Sequence, residues 1–181
     1  MLKILEKDSN EIIYNENEVS GCFRYQIVPE LLECLNVDDK NNKKIVFCPI
    51  LNGGIYIYRE LCFYLKPENK DLFNKCNLEL IACKSYDDNK GMKTDEFKIE
   101  LFKDLEYWIN ENTHVYLIDD ICDTGDTLFR LIDKLKSFNK DVNITTVALI
   151  DRMFVEKKLI EPDIVGFKCP SKKFLLFDYN Y

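Results

Sequence analysis

The sequence predicts an α/β domain with a mainly parallel central sheet flanked by helices, and three observations carry that expectation. Four short apolar runs, KIVFCPIL from Lys44, LELIAC from Leu78, HVYLID from His114 and ITTVALID from Ile144, are partly β-branched and bounded by polar residues. That is the pattern of strands buried on both faces. After Gly125, apolar residues recur at Leu128, Leu131, Ile132, Leu135 and Phe138, a one-sided stripe at helical spacing. Strands alternating with helices indicate parallel pairing, and such sheets bind ligands at the carboxyl ends of their strands.

The first run ends in Asn-Gly-Gly, Asn52 to Gly54, and the following IYIYRELCFYL reads as a helix despite its Ile and Tyr content. NVDDKNNKK and DDNKGMKTDE are Asn-, Lys- and Asp-rich and read as surface loops, neither long enough to divide domains. His114, the chain's single histidine, opens the third run. It reads as a structural residue, which leaves no support for a His-based triad or a His-rich metal site.

A chain of 181 residues can bury one sizeable core, so one domain spanning 1–181 is expected. The formal charge of -7 argues against a broad nucleic-acid-binding face and an anionic membrane surface, while leaving room for a small local anion pocket. The N-terminus, MLKILEKDSNEII, lacks the apolar core of a signal peptide and no run approaches a membrane span, so a cytoplasmic location is expected. Eight cysteines include no CxxC pair and no Cys/His cluster. Buried reduced thiols account for them better than zinc or redox chemistry.

The densest chemistry lies in LIDDICDTGDT, Leu117 to Thr127, where four aspartates surround a Thr-Gly turn. The stretch falls at the carboxyl end of a strand and the amino end of a helix, where unpaired backbone N–H groups and the helix dipole favour an anion. Thr124, Gly125, Asp126 and Thr127 can form a phosphate cradle, with Gly125 permitting close backbone approach and the threonines adding hydroxyls. A carboxylate rim beside it suits a ligand that also presents hydroxyls or a magnesium ion. The alternative is structural: Asp123 caps the helix, Asp126 favours its positive end, and Asp119 and Asp120 are solvated strand-end residues.

LIDDICDTGDT resembles the phosphoribosyl-pyrophosphate signature of the type I phosphoribosyltransferases, an acidic pair followed by Asp-Thr-Gly-x-Thr. Other pieces occur in that family's order and extend the likeness from about Lys44 to Asn180. CPILNGG resembles its pyrophosphate loop, KSYDD the Ser-Tyr of its closing loop, and PDIVGFKCPSKKFLLFDYN the C-terminal piece of its hypoxanthine-guanine and xanthine-guanine branch. The resemblance implies the type I phosphoribosyltransferase fold, with a core over about 40–155 and a small hood from the N-terminal segment and about 156–181.

It further implies purine salvage: transfer of ribose 5-phosphate from phosphoribosyl pyrophosphate to a 6-oxopurine, with magnesium as cofactor. Asp119 and Asp120 would face the ribose and metal, and Asp123 would be the general base. Asn52, Gly53, Lys84, Ser85 and Tyr86 would hold pyrophosphate. Arg152, Phe174 and Leu175 would hold the base, by donation to the 6-oxo group, stacking and backbone contacts respectively, and Asp178 would help bind magnesium pyrophosphate. Core burial is the competing reading of Phe174 and Leu175. A homo-oligomer, dimer or tetramer, is implied, with small-molecule substrates and neither nucleic acid nor membrane as partner.

Arg152 stands where that branch usually places lysine, and arginine's planar fork is no equivalent replacement. LIDR also resembles the pyrimidine-operon attenuator family, which carries uracil phosphoribosyltransferase activity, although Asp123 stands where that family commonly has Tyr. Asn52 replaces a frequent basic residue, and the chain stops at Tyr181 before an Arg that many purine enzymes carry. These departures keep open a regulatory or binding protein of the same fold with weak turnover. Asp126 is expected to point outward, since a carboxylate facing phosphate is repulsive.

Overall fold

Alternation with period two on three neighbouring strands sets the layers of the molecule. The computed structural model describes residues 2–6, 12–51, 53–65, 69–87, 92–101, 105–153, 157–170 and 175–179. In chain order these form β1 (Leu2–Glu6), β2 (Ile12–Tyr14), α1 (Glu16–Cys22), a π-helical turn (Phe23–Ile27), α2 (Val28–Lys40), β3 (Lys44–Leu51), α3 (Gly53–Leu65) and α4 (Lys70–Asn74). There follow β4 (Asn77–Leu78), β5 (Ile81–Asp87), β6 (Met92–Leu101), α5 (Leu105–Trp108), β7 (Thr113–Cys122), α6 (Asp126–Phe138), β8 (Asn143–Arg152), β9 (Ile164–Cys169) and β10 (Leu175–Tyr179).

On β3, β7 and β8, Ile45, Phe47, Tyr116, Ile118, Val147 and Leu149 face one side of the sheet, against Leu31 and Leu35 of α2 and Ile57, Leu61 and Leu65 of α3. Their sequence neighbours Val46, Cys48, Val115, Leu117 and Ala148 face the other side, against Leu128, Leu131 and Leu135 of α6. The stripe read from the sequence is therefore the buried face of α6. Each large apolar side chain so withdrawn from water contributes about 1.5–3 kcal/mol.

The central sheet runs β6-β5-β3-β7-β8-β9, with β4 beside β3. All its pairings are parallel except that of β5 with β6. The chain leaves β3 through α3 to reach β5 on one side, and leaves β7 through α6 to reach β8 on the other. Strand order thus reverses between β3 and β7, and their carboxyl ends open the crevice where such sheets place ligands.

Four segments differ from expectation. NVDDKNNKK, read as a surface loop, gives Asn36 to Lys40 to α2 and Lys44 to β3. DDNKGMKTDE, read likewise, gives Asp87 to β5 and Met92 to Glu96 to β6. Helix and strand continue there through backbone pairing that polar composition does not report. LELIAC is two strands, with pairs Val46–Asn77 and Phe47–Leu78, then Ile50–Ile81 and Leu51–Ala82. The break faces Cys48 and Pro49, and Pro49 has no N–H for the ladder. Lys84 to Asp87, expected in a closing loop, continue β5, where Tyr86 pairs with Lys93 and Asp87 with Met92. Antiparallel pairing with β6 supplies partners for the backbone of that segment.

The terminal segments build a second, antiparallel sheet in the order β10-β1-β2. Leu2, Ile4 and Leu175 from it join the α2–α3 side of the core, and Tyr14 stacks on Phe167 of β9 with ring centroids 4.0 Å apart.

The amino end of β7 is anchored by a polar network. The Tyr116 hydroxyl donates to Asp38 Oδ2 at 2.5 Å, His114 Nδ1 lies 2.8 Å from the same carboxylate, and His114 Nε2 lies 2.8 Å from Thr145 Oγ1. Burial, then the Asp38 hydrogen bond, push the Tyr116 phenol far above its ordinary value, so it stays a donor. His114 has a structural place, at the opposite end of β7 from the aspartates.

Candidate active site

β7 extends through both aspartates of the acidic pair to Cys122, and the chain then turns through Asp123, Thr124 and Gly125 into α6. Gly125 has φ +77°, which favours glycine. A Cβ there would also lie 2.6 Å from both Cγ2 and the carbonyl oxygen of Ile160. Gly125 is the N-cap residue and has no side chain to offer, while Thr124 Oγ1 accepts from the Asp126 N–H at 3.2 Å. Asp123 therefore does not cap the helix, which removes the structural reading of that residue.

The turn borders a depression of about 80 Å³ reaching from Asp119 to Leu128. This is well below the roughly 300–1,000 Å³ of pockets that enclose a whole drug-sized ligand. It suits one small group, and the first amides of α6, carrying the positive end of the helix dipole, suit an anionic one. The Asp126 carboxylate accepts from Arg130 Nε at 2.9 and 3.0 Å, one turn further along α6, which matches the expected outward direction.

Asp119 and Asp120 are half-buried rather than solvated. Each accepts from the next backbone N–H, Asp119 Oδ1 from Asp120 at 3.0 Å and Asp120 Oδ1 from Ile121 at 2.8 Å. Loss of water, then the neighbouring Asp120 charge, raise the Asp119 carboxyl well above its ordinary value; loss of water also raises Asp120. Two crowded carboxylates short of water make a place for a cation. Across the crevice, the space a Cβ would take at Gly53 is filled by the Asp120 carboxylate, and that at Gly54 by the Ile118 carbonyl. The amino end of α3 therefore abuts the acidic pair, with its positive dipole toward Asp120.

On the β8 side, Cys122 pairs with Asp151, and one residue on, Arg152 Nε lies 3.8 Å from Asp123 Oδ1. Arg152 is 13% exposed and Asp123 58%. The structure thus brings together Gly53, Asp119, Asp120, Asp123, Thr124, Gly125, Asp126, Thr127 and, through Asp123, Arg152. Leu175 opens β10 opposite Glu6, with its side chain 5% exposed in the core. Asp178 lies on the same strand, with Lys3 Nζ 3.4 Å from its Oδ2. Lys84, Ser85 and Tyr86 are placed along β5 by their backbone. Asn52 and Phe174 lie outside the described residues.

Sequence reasoning missed Lys158. Its ammonium pairs with the buried Asp151 and donates to the Arg152 carbonyl at 3.1 Å. The only signal was a carboxylate closing an apolar strand, with a lysine pair a few residues on. Among the described residues no group of three His, Cys, Asp or Glu side chains could hold a metal. The two carboxylates still fit magnesium, which keeps several waters and commonly takes one or two carboxylates plus substrate phosphates. The cysteines are free thiols, and burial pushes Cys83 up to about 12 and Cys122 up to about 11, so neither is a ready nucleophile.

A parallel sheet with a switch-point crevice, an amide turn and an acidic pair defines an α/β protein whose crevice suits a small anionic group beside a cation. The family described as phosphoribosyl transferase domain matches residues 23–181, and the chain belongs to it. It is 30% identical over 178 residues to a hypoxanthine phosphoribosyltransferase of Buchnera aphidicola, covering 97% of this chain and 90% of that one. It is 26% identical over 175 residues to a hypoxanthine-guanine-xanthine phosphoribosyltransferase of Tritrichomonas foetus, covering 96% and 85%. The fold resembles the crystal structure of a hypoxanthine phosphoribosyltransferase from Staphylococcus aureus, with a TM-score of 0.66 and 24% identity over 91% of this chain and 79% of that one. No helix among the described residues is long and apolar enough to cross a membrane.

Proposed function

We propose that this protein is a purine salvage enzyme that transfers ribose 5-phosphate from phosphoribosyl pyrophosphate to a 6-oxopurine and releases pyrophosphate. The family membership and the named relatives support the reaction class. The single structural observation that carries it is the meeting of the amide turn Thr124–Thr127 with the acidic pair Asp119 and Asp120 against Gly53.

The 5-phosphate is assigned to the turn, where backbone N–H groups and the Thr124 and Thr127 hydroxyls would bind it. Breaking the bond to pyrophosphate leaves positive charge on the ribose, and Asp119 and Asp120 would stabilise it as it develops. Magnesium, held by that pair together with the donor, would neutralise charge on the departing oxygens. Asp123, the exposed carboxylate beside the turn, would accept the purine proton as the base becomes nucleophilic. Arg152 would donate to the 6-oxo group, and its contact with Asp123 would hold the two base-side groups together. Assembly as a dimer or tetramer belongs to the same reading, and light scattering checks it.

The deciding assay incubates the protein with magnesium and phosphoribosyl pyrophosphate plus hypoxanthine, guanine, xanthine, adenine, uracil or orotate. Nucleotide formation with one or more 6-oxopurines is expected. Product with uracil or orotate alone, or no product and no calorimetric binding of the donor, overturns the reading.

A further inference from the structure

Three consecutive residues join the two halves of the site. The Lys158 ammonium reaches the Asp151 carboxylate and the Arg152 carbonyl, the latter at 3.1 Å. The Leu159 N–H donates to the Thr124 carbonyl at 2.8 Å, and Ile160 lies against Gly125. The two ends of this stretch thus address different targets: the Lys158 side chain holds the end of β8, while the Leu159 backbone, with Ile160 packed against Gly125, holds the phosphate turn.

The Lys158 ion pair is largely withdrawn from water, with Lys158 16% and Asp151 5% exposed. A pair in that setting gains little over apolar residues of the same volume, because desolvation offsets the Coulomb attraction. Its particular effect is geometric. Lys158 ties the side chain of Asp151 to the backbone of the next residue, and so fixes the direction in which Arg152 leaves the sheet. Arg152 in turn reaches Asp123 with its Nε at 3.8 Å.

We propose that Lys158, working with Asp151, is a positioning residue for purine recognition: it sets the orientation of Arg152 and of the Arg152–Asp123 pair without touching substrate. The inference rests on Arg152 as the base-side donor. A misplacement of Arg152 should weaken purine binding and leave the donor site, held by the Leu159 N–H and by Ile160 packed on Gly125, as it was.

The test uses the full chain with Lys158→Met, Lys158→Arg and the double variant Asp151→Leu/Lys158→Met, which replaces the buried pair by apolar side chains and guards against a variant that merely unfolds. In Lys158→Met the KM for the preferred purine is expected to rise on the order of tenfold, with the KM for phosphoribosyl pyrophosphate within about twofold of wild type. Lys158→Arg should recover part of the loss, and the double variant should keep the raised purine KM whatever its melting temperature. Equal changes in both KM values, or a wild-type purine KM in the double variant, would overturn the assignment. An activity-free measurement separates this claim from the proposed function: the Arg152 Nε–H signal, followed by NMR in nitrogen-labelled protein. Faster exchange in Lys158→Met supports positioning, and an unchanged signal refutes it even if the wild type proves inactive with purines.

Discussion

The Asp120 carboxylate occupies the place where any residue but glycine at position 53 would carry its Cβ. A residue from the end of β7 and a residue from the start of α3 are thereby fitted together at the switch point of the sheet. Gly53→Ala is expected to displace either the helix start or the acidic pair, costing about 1–3 kcal/mol, as overpacking generally does. Thermal unfolding measures that loss, and donor titration should show weaker binding. A variant with wild-type melting temperature and donor affinity would mean that the contact is slack.

The acidic pair has a pH signature. Folding raises the proton affinity of Asp119 and Asp120, so the unfolded chain ionises first as pH climbs past the ordinary aspartate value of 3.8. Stability is then lost progressively between that value and the raised values in the folded protein. Asp119→Asn should therefore melt higher than wild type at neutral pH, by about 2–4 °C per kcal/mol relieved, and match it below about pH 4. Magnesium with phosphoribosyl pyrophosphate should raise the wild-type melting temperature, because it binds the folded state. A difference that persists unchanged in acid would show that repulsion is not its source.

Asp123 is 58% exposed, so its replacement by the isosteric Asn is expected to leave the fold intact. Asp123→Asn is expected to lower kcat by about 10²–10⁴-fold, the usual range for losing a general base, with donor affinity little changed. Stopped-time nucleotide assays and calorimetry read the two quantities separately. Full turnover in this variant would reassign the proton.

At the far end of β7, Asp38 accepts from Tyr116 and binds His114. Asp38→Ala leaves the Tyr116 hydroxyl and His114 Nδ1 without their carboxylate, while His114 Nε2 keeps Thr145, and should cost about 1–3 kcal/mol. Denaturant unfolding is the measurement, and the KM values should hold at temperatures where the variant stays folded. A shift in purine KM would reveal coupling along the strand.

The layers were legible because apolar periodicity reports burial locally. KIVFCPIL, HVYLID and ITTVALID became β3, β7 and β8, and the stripe from Leu128 to Phe138 became the buried side of α6. The turn was legible for the same local reason, since Gly125 and its threonines lie within a few residues of one another. LELIAC was read as one strand because the interruption comes from Pro49 on a neighbouring strand. The reading of Lys84 to Asp87 as loop failed likewise, since pairing with β6 lies outside the segment itself.

By itself, the sequence determined which residues alternate, where a strand hands over to a helix, and which stretch carries the carboxylates and amides. Only the tertiary structure decided that Gly53 meets Asp120, that Arg152 faces Asp123, and that Lys158 reaches Asp151 while its neighbours hold the Thr124–Gly125 turn. The reason is physical: periodicity and turn chemistry are short-range properties of one segment. Strand order and helix crossover, which place segments far apart in the chain within contact, emerge from packing the whole core at once.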